Sequence, residues 1–200
     1  ITASNSQSAN NISVNIASNE DRNTTGFASS GINRTEYRLT GATSQNWTTY
    51  TGTLIISNHG KTTIYARNID NAGNVGGETS IEVAVEKNKP TTTSITLSET
   101  DWTKNDVMVT LNKGTALTNT KAYYSLSGGT TLDWVEYTGP FYVTNEGKTV
   151  VIAKTVSEVG NESNTTTATA KVDKSNPTLD LTHSPTEWTP SKVTITAKGS

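Results

Sequence analysis

The sequence predicts an all-β chain of antiparallel sandwich domains in series, about seven strands in each. Three observations predict it. Most of the chain repeats itself at a spacing of 87 residues. Inside each repeat, apolar residues alternate with polar ones at period two, the spacing of a half-buried strand. Turn-forming residues interrupt the pattern roughly every 8–12 residues, the rhythm of a sandwich.

The repeat runs without a gap from Tyr37 to Thr91. Tyr37-Arg38-Leu39 returns as Tyr124-Ser125-Leu126, and Trp47-Thr-Thr-Tyr50-Thr-Gly52 returns as Trp134-Val-Glu-Tyr137-Thr-Gly139. Gly60-Lys61-Thr62 returns as Gly147-Lys148-Thr149, and Lys89-Pro90-Thr91 as Asn176-Pro177-Thr178. A further copy opens near the end, where Ser184-Pro-Thr-Glu-Trp188-Thr echoes Ser98-Glu-Thr-Asp-Trp102-Thr at an offset of 86. Solenoid repeats have periods of roughly 20–50 residues, whereas a small sandwich takes about 100. The expected division is a first repeat over 1–89, a second over 90–176, and the start of a third, truncated one over 177–200.

The strand pattern is clearest at Ile12, Val14 and Ile16, and again at Val107, Val109 and Leu111, each set alternating with residues of the other face. The second repeat is expected to form strands near 93–97, 107–112, 121–126, 134–137, 140–144, 148–156 and 165–173. In Ile64-Tyr65-Ala66 and Val151-Ile152-Ala153 both alternations carry apolar residues, so the inward face is not fixed by pattern alone. The first repeat carries eight more residues between its second and third strands, in the polar stretch Asn19–Asn33, which reads as a longer end loop. The linkers Glu86–Pro90 and Asp173–Pro177 are short and end in proline, which restricts both itself and the residue before it. A semi-stiff string of domains is the expectation.

Composition narrows the function. Only 17% of residues are charged and the net charge is −2, so nothing attracts nucleic acid or an anionic membrane. Hydrophobic residues make up 32%, which implies several small cores and not one large one. There is no cysteine, hence no disulfide framework and no thiolate metal site. No apolar run is long enough to cross a bilayer, and no signal peptide is visible. The chain opens at Ile1 and reads as part of something longer.

Taken together, Trp102-Thr-Lys-Asn-Asp-Val-Met-Val-Thr, Tyr124-Ser-Leu-Ser-Gly-Gly, Trp134-Val-Glu-Tyr137-Thr-Gly-Pro140 and Asp70-Asn-Ala-Gly-Asn74 resemble bacterial immunoglobulin-like repeats of large surface and secreted proteins. Those repeats are loosely similar to fibronectin type III domains. The resemblance implies modules that serve as spacers, stalks, adhesin parts or accessory domains of glycan-degrading enzymes. The second repeat departs from the aspartate pattern with Ser157-Glu158-Val159-Gly160-Asn161, so a role that needs the aspartate is not shared.

The candidate sites are few. His59 and His183 lie in expected turn and junction segments, with no G-x-S-x-G elbow and no carboxylate pair to serve a hydrolase. No catalytic residue is expected. Asp70, Asn71 and Asn74 gather oxygen ligands of the kind calcium takes, but they also form a good turn without an ion. Glu86 and Asp173 lie near the linkers, where an interdomain calcium ion would bind. Trp47 with Tyr50, and Trp134 with Tyr137, are candidates for stacking on sugar rings, but recurrence at one position in neighbouring units favours tryptophans that cover the sandwich core, and Trp102 and Trp188 read the same way. Six N-x-S/T sequons, at Asn11, Asn23, Asn33, Asn46, Asn161 and Asn164, matter only in a host that glycosylates them.

The expected function is a non-catalytic spacer or stalk in a bacterial cell-surface or secreted protein, presenting another domain or contributing to adhesion. Its partners are neighbouring domains of the same polypeptide and, in the alternative, cell-wall or host glycans or proteins. Further alternatives are accessory modules of a secreted glycosidase, or a self-assembling surface layer or fibre.

Overall fold

The computed structural model describes residues 1–18 and 30–199. Most of the long stretch Asn19–Asn33 therefore lies outside the described residues. The first unit holds β1 (Thr2–Ala3), β2 (Gln7–Ser8), β3 (Ile12–Asn15), β4 (Ile32–Gly41), β5 (Gln45–Thr49), β6 (Leu54–Ile56), β7 (Gly60–Asp70) and β8 (Thr79–Val85). The second holds β9 (Ser94–Leu97), β10 (Val107–Asn112), β11 (Thr120–Gly128), β12 (Leu132–Glu136), β13 (Phe141–Val143), β14 (Gly147–Ser157) and β15 (Thr166–Val172). A hairpin of β16 (Leu179–Ser184) and β17 (Thr194–Gly199) follows. No helix occurs among the described residues.

Each unit is a sandwich of two sheets. In the first, β1-β3-β6 faces β2-β8-β7-β4-β5; in the second, β9-β10-β13 faces β12-β11-β14-β15. Every pairing between strands is antiparallel except β2 with β8, which is parallel. This is the immunoglobulin-like, fibronectin type III-like arrangement: three strands against a larger sheet with two long central strands. The strands expected from the second repeat's sequence all form, with ends shifted by a residue or two.

The core lies between the sheets. Ile12, Val14, Ile56, Ile64 and Val83 are buried in the first sandwich, and Val107, Val109, Val143, Val151 and Val172 in the second. The register settles the faces that sequence left open. Leu39 pairs with Ile64 and Tyr37 with Ala66, so Ile64 and Ala66 turn inward and Tyr65 turns out; Val151 and Ala153 do the same in the second sandwich. A bulge interrupts β4–β5 between Tyr37 and Leu39, and another interrupts β11–β12 between Tyr124 and Leu126, at matching positions. Just beyond each bulge stands a glycine at positive φ, Gly41 at 102° and Gly128 at 105°. A side chain there would run into the carbonyl oxygen of Lys61 or of Lys148 as well, so both the backbone angle and the space demand glycine.

The terminal hairpin differs from both sandwiches. Leu179, Leu181 and Ile195 are exposed along it, and Trp188 is fully exposed in the connecting segment.

Two isoleucines of the first sandwich give a direct test of this core. Ile64 is fully buried, whereas Ile55 is 56% exposed. Ile64→Ala is expected to cost about 2–5 kcal/mol in denaturant unfolding, and Ile55→Ala no more than about 0.5 kcal/mol. Equal losses would mean the sheets are not packed as described.

Candidate functional site

The recurring aromatic pairs divide between the two faces of the larger sheets. Trp47 and Tyr50 are three positions apart, and an odd spacing sends neighbours to opposite faces. Tyr50 packs on the first core, edge-on to Tyr37 at 6.3 Å, and its hydroxyl accepts the Ile16 N–H at 3.2 Å. Tyr137 packs on the second core, edge-on to Tyr124 at 6.4 Å. The structure therefore does not bring Tyr50 beside Trp47, nor Tyr137 beside Trp134, and no two-ring platform forms from either pair.

The tryptophans lie on the outer faces, not over the core, and a cation on β7 or β14 supports each ring. Arg67 Cζ sits 4.0 Å from the Trp47 ring centroid, and Lys154 Nζ sits 4.7 Å from that of Trp134. Arg67 and Lys154 are equivalent in the repeat. Such contacts contribute about 0.5–2 kcal/mol, more as the cation is desolvated. Arg38 adds a second cation beside Trp47, at 5.4 Å, and covers Tyr65 at 3.7 Å. Glu36 ties Arg34 and Arg67 together, accepting from Arg34 Nε at 2.8 Å and Arg67 Nη2 at 2.9 Å. Hydrogen bonds from Arg34 and then Arg67 hold the Glu36 carboxyl below its ordinary range. Trp47 is left half-buried, while Trp134 stays 43% exposed. Trp102 and Trp188 are exposed too, which corrects the expectation that they cover a core.

The aspartate loop closes on itself. Asp70 Oδ1 accepts the Asn74 N–H at 2.7 Å and Oδ2 accepts the Asn74 side-chain amide at 2.8 Å. Those bonds, the side-chain one foremost, lower the Asp70 pKa. Asn71 reaches elsewhere and donates to the Ser30 carbonyl at 2.7 Å. In the second sandwich the Ser157 hydroxyl takes the place of Asp70, accepting the Asn161 N–H at 3.2 Å. The shared motif is thus a hydrogen-bonded turn after the central strand, with Gly73 or Gly160 at φ 89° inside it. Among the described residues no three His, Cys, Asp or Glu side chains gather in a way that could hold a metal ion.

Sequence reasoning missed the role of Glu86, noting it only as an acid near a linker. Its N–H donates to the Ser8 carbonyl at 2.9 Å, extending the first sandwich's sheet. Its side chain enters the second sandwich, where Oε2 accepts the Thr118 N–H at 2.6 Å, and the residue is only 1% exposed. Asn161 Nδ2 donates to the Glu86 carbonyl at 2.7 Å and to that of Asn88 at 3.3 Å. His59 also serves the linker, with Nδ1 accepting the Lys87 N–H at 3.1 Å. At the next junction Glu146 replaces His59 and accepts the Lys174 N–H at 2.7 Å, but Asp173 stays exposed and its carboxylate accepts from Ser175 N at 3.1 Å, within its own linker. His183 lies apart on the hairpin, its Nδ1 3.2 Å from the Pro185 carbonyl.

No family model matches this chain, and no curated protein does. Among solved structures it is similar to the fibronectin(III)-like modules of Clostridium thermocellum CbhA, at 14% identity over 83% of this chain and 88% of that one, with a TM-score of 0.35. The fold assignment rests on the strand pairing itself.

The turn analysis makes a prediction about ions. Asp70→Ser, which installs the second sandwich's residue, is expected to keep the turn and cost under about 1 kcal/mol, the net worth of one hydrogen bond. Thermal melts with calcium and with chelator should coincide in the parent chain. A calcium-dependent rise in Tm that Asp70→Ser abolishes would establish a cation in this loop instead.

Proposed function

We propose that this chain is a non-catalytic spacer, part of an extracellular array in a bacterial surface or secreted protein, whose sandwiches hold a fixed mutual orientation to set another domain at a distance. The observation that carries the reading is the joint at Glu86. A freely jointed linker would keep its polar side chains in water. Here one residue donates its backbone to one sandwich and buries its carboxylate in the next.

The rest of the linker supports this. Pro90 is buried, and Thr91 is bonded in both directions to Thr115, from Thr91 N to Thr115 O at 2.9 Å and from Thr115 N to Thr91 Oγ1 at 2.7 Å. Gly114 lies so close to the Thr91 carbonyl that any side chain there would collide with it. Lys89 Nζ meets Asn164 Oδ1 at 3.3 Å. Few degrees of freedom remain between Val85 and Thr93, so the order of the sandwiches fixes their geometry.

The charge state of Glu86 matters. Burial alone would raise its pKa, but hydrogen bonds from Ser157, Thr118 and Asn161 outweigh burial and leave it below the ordinary carboxylate value. A carboxyl with a depressed value in the closed joint stabilises that joint above the ordinary carboxylate pKa. The contribution disappears as pH falls through the depressed value.

The spacer reading is tested by the mutual orientation of the sandwiches. Residual dipolar couplings of the parent chain at neutral pH should fit one alignment tensor for both sandwiches. Glu86→Ala strands the Thr118 N–H, an unmet donor worth about 1–3 kcal/mol, and should split the fit into two tensors while each sandwich stays folded. Acidification below the carboxylate range should act in the same direction. Two independent tensors in the parent chain at neutral pH would sink the rigid-spacer reading.

A further inference from the structure

We propose that the outer face of the β12-β11-β14-β15 sheet binds an uncharged glycan chain, held between a hollow at Tyr123 and the open face of Trp134. The hollow, of about 460 Å³, is lined by Asn119, Lys121, Tyr123, Val156 and Glu158 among others. Tyr123 pairs in register with Lys154, and Lys154 is the cation beneath Trp134. The tyrosine and the indole therefore stand on one surface, joined by a shared neighbour. Lys154 is only 18% exposed beside the ring, while Trp134 keeps 43% of its surface exposed.

Charge selects the occupant. Lys121 pairs with Glu136 at 2.9 Å, Lys154 with Glu162 at 2.7 Å, and Asn119 Nδ2 donates to Glu158 at 3.2 Å. Around the hollow and the indole both lysines are each paired to a glutamate and Glu158 adds a carboxylate held by an amide, while Lys148 and Lys171 stand opposite each other at the far end of the face, which leaves no unpaired cation at the site to attract a polyanion. What remains are flat aromatic faces beside carboxylates and an amide with free acceptor capacity. A pyranose ring fits that pattern, with an apolar C–H face to stack and hydroxyls at its edge to donate.

The corresponding face of the first sandwich is built differently. Glu36 stands where Tyr123 does, locked between Arg34 and Arg67, and Arg38 flanks Trp47. The same fold position carries a half-buried indole flanked by two arginines in one unit and a more open one in the other, so the binding is assigned to the second sandwich alone. This site does not depend on the rigid joint, and each reading can fail without the other.

The test titrates the whole 200-residue chain with cellohexaose and with the hexamer of N-acetylglucosamine, following the indole N–H resonances of its four tryptophans and the heat of binding. Saturable binding with a dissociation constant of about 1 mM or tighter is expected, with the Trp134 resonance moving and that of Trp47 still. Trp134→Ala and Tyr123→Ala should each weaken binding by about tenfold or more, the loss of a central aromatic contact. Trp134→Phe keeps a ring and should retain most of the affinity, which separates lost stacking from lost folding. Tyr142→Ala removes an exposed aromatic from the other sheet and should change nothing. The proposal is overturned by no saturation with either sugar, by affinity unaffected in both Trp134→Ala and Tyr123→Ala, or by tighter binding of polygalacturonate than of either neutral hexamer.

Discussion

Glu86 is shared between two sandwiches, and the relation between them follows from that sharing. Its N–H completes the edge pairing of β8 with β2 in one unit. Its carboxylate closes the gap between Thr118 and Asn161, at the end of the other. A buried carboxylate without partners would be expelled or protonated, since its desolvation is so costly. With hydrogen-bond donors around it, the same group is held in place within the second sandwich. The second junction keeps the backbone half of the device, with Asp173 N donating to the Thr103 carbonyl at 2.9 Å, and drops the side-chain half. The joints of this chain are thus unequal although its repeats are alike.

A second organising feature is the use of the outer faces. The core demands only small aliphatic residues and the inward tyrosines, so the outer faces of the larger sheets are free to differ. Both units place an indole over a cation on the long strand before the turn. Arginine in the first unit and lysine in the second have different consequences. Planar guanidinium groups stack and bridge to Glu36, building a closed network across β4, β5 and β7. The single ammonium of Lys154 meets the Trp134 ring alone and leaves the residue 43% exposed.

Much of this was legible in the sequence because it is local or periodic. The alternation at Val107, Val109 and Leu111 located β10 and its buried face. Ile64-Tyr65-Ala66 was not legible, because either face of that segment is apolar and only the pairing with β4 decides between them. The pairing of Trp47 with Tyr50 as one platform overlooked strand parity, a signal present in the sequence. The Asp70 loop was correctly legible as a turn from its residue types, whereas its carboxylate's partner, Asn74, became visible only in three dimensions. Glu86 was opaque for a deeper reason. Its burial depends on Thr118 and Asn161, 32 and 75 residues away, and no short-range pattern announces such a socket.

The pairing of β2 with β8 has a consequence for load. β8 is the last strand of the first sandwich and β2 the second, after β1, and they run parallel, with Gln7 opposite Ala84 and Ser8 opposite Val85. The second sandwich repeats the contact in miniature through a parallel bridge of Thr103 with Val172. When the two ends of such a unit are pulled apart, parallel neighbours slide along each other and do not peel open. Their hydrogen bonds, including Ala84 N to Ser6 O and Glu86 N to Ser8 O, are then strained together and not one after another. Tension along the first sandwich is therefore shared by these hydrogen bonds at the β2–β8 contact once β1 has parted from β3.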